Sequence, residues 1–196
     1  MNNLPMLGSK LLKFLPEKIW RFLPIYDPYV DYMLSRDLDS PMTKRETETL
    51  NLGLGNDQTN NFFYIARDHK ERSVPILGGL WGAAPVRARS LLHEIFQVML
   101  NPDIVYKYDR ARDQDFLYDF VWLKVQNHSL IFDSAYCETF GGQPFPFQRS
   151  DNYCFLGCYR PCCTPAGIDK SKIHASICPK ACRPKEHQDY LRFVFC

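Results

Sequence analysis

Apolar residues recur with two spacings along the chain, and the change of spacing predicts strands alternating with helices. Val30, Tyr32 and Leu34 alternate with their neighbours as one face of a strand would. Phe62-Phe63-Tyr64-Ile65-Ala66 is a continuous apolar run and reads as a buried strand, and Ser129-Leu130-Ile131-Phe132 reads as another. Between them the period changes. Thr43-Lys44-Arg45-Glu46 is a capping-box pattern that opens a helix, expected to end near Gly53 or Gly55 before the polar Asn56-Asp57-Gln58. Residues 87–100 carry Leu91, Leu92, Ile95, Phe96 and Met99 as the stripe of an amphipathic helix, with His93 on the solvated side. From Asp113-Gln114-Asp115 onward, the apolar pairs 116/117 and 120/121 predict a helix with acidic residues at its positive end. Residues 11–23 mix apolar and basic side chains and read as a short amphipathic helix or as part of a core, with Trp20 and Phe22 as core residues. Gly141-Gly142-Gln143-Pro144-Phe145-Pro146 reads as a loop. The pattern as a whole is that of an α/β chain, a mixed sheet flanked by helices.

Candidate chemistry gathers where strands end. The first strand runs into Ser35-Arg36-Asp37-Leu38-Asp39-Ser40. If the backbone stays extended there, Asp37 and Asp39 point to one side and form a site for a hard divalent cation, Mn²⁺ or Mg²⁺. The competing reading is that Asp39 or Ser40 caps the turn or the following helix. The second strand runs into Arg67-Asp68-His69, so two strands end in the same Arg-Asp pair. Ligands of open α/β sheets sit beyond such strand ends. There Arg36 and Arg67 either meet phosphate or hold carboxylates by bidentate pairing, as structural salt bridges also would. His69, beside Lys70 and Glu71, is expected to be exposed. In Ile76-Leu77-Gly78-Gly79-Leu80-Trp81-Gly82 the glycines allow close approach of a ligand, and Trp81 offers a flat face for a sugar ring. A tight turn whose Trp81 plugs the core fits the same residues. Asp113 and Gln114 are suited to hydrogen-bond sugar hydroxyls.

Composition narrows the class. The chain has 196 residues, 45% of them hydrophobic, enough for a sizeable core. A net charge of +2 gives no electrostatic case for nucleic acid. Of eight cysteines, seven fall after residue 153, at Cys154, Cys158, Cys162, Cys163, Cys178, Cys182 and Cys196. Their spacing is not that of a zinc knuckle, and disulfides in an oxidising compartment are favoured over metal. No signal peptide is visible, because Pro5, Pro16 and Pro24 and five charged residues interrupt the first 24 residues.

Trp20-Arg21-Phe22-Leu23-Pro24, Ser35-Arg36-Asp37-Leu38-Asp39-Ser40, Arg45-Glu46, Arg67-Asp68-His69, Ile76-Leu77-Gly78-Gly79-Leu80-Trp81-Gly82 and Asp113-Gln114, in that order, resemble glycosyltransferase-like proteins of the GT-A type. The resemblance implies a nucleotide-sugar donor and a glycan or protein acceptor. Asp37 and Asp39 match its metal-binding Asp-x-Asp, with Mn²⁺ or Mg²⁺ as cofactor. Asp113, Gln114 and Asp115 match the Asp-Gln-Asp that contacts the donor sugar, and Arg36, Arg67, Asp68, Gly78, Gly79, Trp81 and Gly82 fall in the substrate-binding motifs. It also implies a secretory (Golgi) lumen or secretion, with a membrane anchor only if a missing N-terminus supplies one. Residues 1–150 are then expected to be the C-terminal portion of a partial, Rossmann-related GT-A-like domain, and 151–196 its Cys-rich extension. Two departures accompany the likeness. Phe132 stands before Asp133-Ser134 where a histidine is expected, and only 36 residues precede Asp37, too few for a nucleotide-binding βαβ half. The alternative is a non-catalytic remnant or a secreted, disulfide-rich carbohydrate-binding module.

Overall fold

The computed structural model describes residues 15–55, 60–109, 112–149, 154–158 and 177–196. Residues 11–14, the polar Asn56-Asp57-Gln58, and Cys162 and Cys163 therefore lie outside the described residues. Four strands, β1 (Met33–Arg36), β2 (Phe63–Arg67), β3 (Leu80–Ala83) and β4 (Ser129–Asp133), form one sheet in the order β1-β3-β2-β4. β3 is antiparallel to β1 and to β2, whereas β2 and β4 are parallel. It follows that β1, β2 and β4 all end at one edge, where β3 begins. Both Arg-Asp pairs, Gly78-Gly79 and Asp133 stand along that edge.

Where the sequence suggested a ligand-approach segment or a tight turn, Leu80–Ala83 forms a strand, with Trp81 in the core. Gly82 sits inside the strand beneath Leu34 and Leu54, a close approach that leaves no room for a larger side chain. The facing of β1 is also corrected. Met33 and Ser35 are buried, while Tyr32 and Leu34 are 49% and 42% exposed. The run Tyr32-Met33-Leu34 is apolar throughout, so alternation could not choose a face, and a one-residue shift exchanges the two. The choice comes from pairing: Ser35 lies opposite Trp81 and its Oγ donates to the Gly78 carbonyl at 2.5 Å.

β2 has all five residues buried, Phe63 to Ala66 as an apolar run and Arg67 through its pairing with Asp133. On one face Phe63 stacks on Trp81, with ring centroids 5.0 Å apart, and Phe22 packs on the same tryptophan at 5.5 Å. Trp20 is instead 42% exposed. On the other face the Tyr64 hydroxyl shares a 2.9 Å hydrogen bond with Thr49 of α1 (Lys44–Gly53). Thr43 caps α1, its Oγ1 accepting from the Glu46 amide at 3.1 Å. The helix α2 (Arg89–Met99) buries Leu92, Ile95, Phe96 and Met99, the expected stripe. The acidic start at Asp113 opens a single α-turn, Asp113–Phe116, which widens into a π-helix over Leu117–Trp122 and closes as Leu123–Val125. Fourfold spacing had predicted a plain helix there. The widened turn still buries Phe116, Leu117, Val121 and Trp122.

Disulfides join Cys137 to Cys182 and Cys178 to Cys196, and Cys154 and Cys158 are disulfide-bonded as well. The first bridge ties the C-terminal segment to the helix after β4. Among the described residues the only group of three or more His, Cys, Asp or Glu side chains close enough to hold a metal is Asp133 with Cys137 and Cys182. Those two sulfurs are bonded to each other, which leaves no thiolate for zinc. Disulfides fit a secreted protein or one of the secretory lumen. No helix among the described residues is long and apolar enough to cross a membrane.

Candidate functional site

Arg36 ends β1, and the chain then turns, the Ser40 amide donating to the Asp37 carbonyl at 3.2 Å. The extended backbone that would align Asp37 with Asp39 therefore stops at Asp37. Asp39 is exposed, and Leu38 projects fully into solvent. Asp37 turns toward the loop ahead of β3. A Cβ on Gly79 would lie 2.4 Å from Asp37 Oδ2, and one on Gly78 would lie 2.8 Å from Gln114 Nε2 and 2.9 Å from Asp113 Oδ2. Only glycine at both positions lets the Asp37 turn and the Asp113 helix start meet across this loop. Asp37, Gly78, Gly79 and Gln114, with Arg72 and Gly157, line a cavity of about 40 Å³, room for a cation and its nearest waters.

The electrostatics there are mixed. Arg21 Nη1 donates to Asp37 Oδ1 at 2.7 Å, and its Nη2 stands 4.0 Å from Asp113 Oδ2. Lys18 approaches the other Asp113 oxygen at 4.0 Å. Asp113 is buried, and Gln114 Oε1 is enclosed without a hydrogen-bond partner. The cavity is lined by one carboxylate, that of Asp37, with the Gln114 amide beside it and the Arg72 guanidinium on its wall; its oxygen donors are of the kind that suits Mn²⁺ or Mg²⁺ better than a soft metal. Asp115 lies on the exposed side, paired with Arg112 at 2.8 Å.

Arg36 does not pair with Asp37. Its Nε donates to Glu46 at 3.0 Å, while its other nitrogens reach the carbonyls of Gly79, Ser40 and Pro41, each at 3.3 Å. One guanidinium thus ties the Asp37 turn to the glycine loop. Burial pushes the Glu46 carboxyl up to about 7 against the pull of Arg36.

The second Arg-Asp pair is wholly interior. Arg67 Nε donates to Asp133 at 2.7 Å, its Nη1 to the Pro75 carbonyl, and its guanidinium lies over the Phe140 ring. Burial lowers the Arg67 pKa, and Asp133 partly restores it. Asp68 accepts from Arg45 at 3.1 Å, from Arg149 at 2.8 Å and from the Leu156 amide at 3.0 Å. His69, expected to be exposed, has only 11% of its side chain accessible and stacks on Phe155 at 4.3 Å. Desolvation lowers its pKa. Trp81 is buried in the core and Gly82 in β3, neither of them lining the small cavity. Phe132, at the position of the expected histidine, packs between Tyr64 and Phe145.

Sequence reasoning did not single out Arg21, Lys18 or Arg149. Arg21 stood inside a quoted motif, but nothing in its spacing signalled a partner 16 residues away. No family model, curated protein or solved structure matches this chain.

Proposed function

We propose that this chain is a glycosyltransferase-like protein that engages a nucleotide-sugar donor together with Mn²⁺ or Mg²⁺. The observation that carries the reading is the meeting of Asp37 with Asp113 and Gln114 over Gly78-Gly79, residues 76 positions apart brought to one sheet edge. Asp37 would hold the cation, which supplies positive charge for a leaving diphosphate, and Asp39 would join it only if the turn after Asp37 rearranged. The Gln114 side chain lines the cavity and would meet a sugar hydroxyl there, and Asp113 beside it is held by Arg21 and Lys18. Arg36 fixes the distance between the two loops. A Golgi lumen fits this activity and the disulfides.

One observation favours the alternative of a carbohydrate-binding module without catalysis. Arg21 already supplies a positive charge to Asp37 at 2.7 Å, where a metal would compete with it. Thermal-shift measurements with Mn²⁺, nucleoside diphosphates and nucleotide sugars separate the two. On the first reading, Mn²⁺ and a nucleoside diphosphate stabilise the chain jointly, by roughly 2.7 kcal/mol at a hundredfold excess over Kd, and Asp37→Asn abolishes the response. Stabilisation by free sugars that is indifferent to Mn²⁺ supports the module. No response to any divalent cation, with or without diphosphate, overturns the metal-dependent reading.

A further inference from the structure

A second concavity, larger than the one beside Asp37, lies away from it. It is a cleft of about 460 Å³ between the first turn of α1 and the segment after β4, with Thr43, Lys44, Arg45 and Glu48 on one side and Phe147 and Arg149 on the other. Its volume is that of a small-molecule site. Two arginines that line it are buried, with 7% and 8% of their side chains exposed, and both lean on the single carboxylate of Asp68. Among the described residues no other carboxylate pairs with either guanidinium. Glu46 is engaged by Arg36, and Glu48 faces the exposed Lys44 at 3.7 Å. Among the described residues, two guanidinium groups with largely buried side chains therefore share the one carboxylate of Asp68. Among the described residues Arg45 Nε and Nη2 have no hydrogen-bond partner, and its guanidinium lies 3.8 Å over the Phe145 ring. A buried positive charge without its own counter-ion is costly unless something negative comes near. The amino end of α1, ten residues long, adds its positive dipole to the same wall.

We propose that this cleft binds a ring-shaped ligand carrying one oxyanion, in the chemical class of an acidic sugar residue. The anion completes the charge balance over Arg45 and Arg149 and lies against the first turn of α1, with Lys44 at the rim. Phe147, 38% exposed, offers the apolar surface on which the ring rests. Charge selects the ligand and the aromatic wall selects a ring over a bare ion. The cleft requires neither the metal nor the nucleotide of the Asp37 site.

The test is a titration of the full chain with glucuronate, glucose and inorganic sulfate, followed by amide chemical shifts in the absence of Mn²⁺ and nucleotide. Glucuronate is expected to shift the amides of residues 43–45 and 147–149 saturably, with Kd at or below about 1 mM. Glucose and sulfate should each bind at least about tenfold more weakly, because each offers only half of the recognition. Arg149→Gln should weaken glucuronate by about tenfold, and Lys44→Gln, at a solvated side chain that does not threaten the fold, by about twofold to threefold. The absence of saturable shifts with folded wild-type protein overturns the proposal. So do shifts centred elsewhere, or an affinity indifferent to Lys44→Gln and to added salt. Sulfate binding as tightly as glucuronate overturns the role of the ring. Since no metal is present, failure here leaves the reading of Asp37 standing, and failure of that reading leaves this one.

Discussion

Arg36-Asp37 and Arg67-Asp68 are the same dipeptide at the same end of two strands that point the same way, yet their fates are opposite. Asp37 has 51% of its side chain exposed and one arginine at 2.7 Å. Asp68 is fully buried between two arginines and a backbone amide. The difference is what covers each strand end, since Asp133 at the end of the other edge strand, β4, is itself fully buried. β1 is an edge strand, and the chain beyond it turns into solvent, so its carboxylate remains available to a ligand. β2 has β3 on one side and β4 on the other, and the residue just past its end is covered by Arg45 of α1 and by Arg149 and Leu156 of the chain after β4. A carboxylate in that position must bring its cations inside with it. Identical local chemistry thus becomes a candidate binding site at the edge and a structural knot at the centre.

The contrast can be broken most severely at the centre. Asp68→Ala strands two buried guanidinium groups and is expected to cost about 3–5 kcal/mol of stability, read from urea denaturation. A loss below about 1 kcal/mol would mean that Asp68 is not the counter-ion the geometry describes. A smaller effect is expected at Glu46, which connects the two regions through Arg36. Its folded pKa, about 7, is above its ordinary 4.5 because burial disfavours the charged form. The folded state therefore holds this proton more tightly than the unfolded state does. Its contribution to stability is complete below about pH 4.5 and is lost as the pH rises through 7, an amount on the order of 1–3 kcal/mol. Glu46→Gln removes that dependence. The wild-type advantage over the variant should shrink between pH 5 and pH 8, and a difference that stays constant would show that Glu46 does not titrate in this window. The smallest stability effect is expected at the edge. Asp37→Ala loses one half-exposed ion pair and should change stability by no more than about 1 kcal/mol. Gly79→Ala, whose added Cβ would stand 2.4 Å from Asp37 Oδ2, should displace that carboxylate and remove any response to Mn²⁺ while the denaturation midpoint moves little.

Much of the framework was legible in the sequence by itself. The capping box at Thr43, the stripe of Leu92, Ile95, Phe96 and Met99, and the apolar runs that became β2 and β4 each contain their own local reason, a cap or a periodicity. The cysteine-rich end declared its disulfides by number and spacing. What the sequence could not declare was whatever depends on who lies opposite. β3 read as a tight turn or a ligand-approach segment because Gly82 has no strand propensity of its own, and only the side chains of Leu34 and Leu54 pressing on it explain its place. The facing of β1 was hidden because Tyr32, Met33 and Leu34 are all apolar, and pairing with β3 decided it. Trp81 was equally suited to a ligand or to the core until Phe63 and Phe22 closed on it. The two Arg-Asp pairs were indistinguishable as text. Periodicity and capping act over a few residues and survive in any window of sequence, whereas burial and charge pairing act between segments that only the folded chain brings within a few ångströms. Those long-range contacts made Asp68 structural and left Asp37 open.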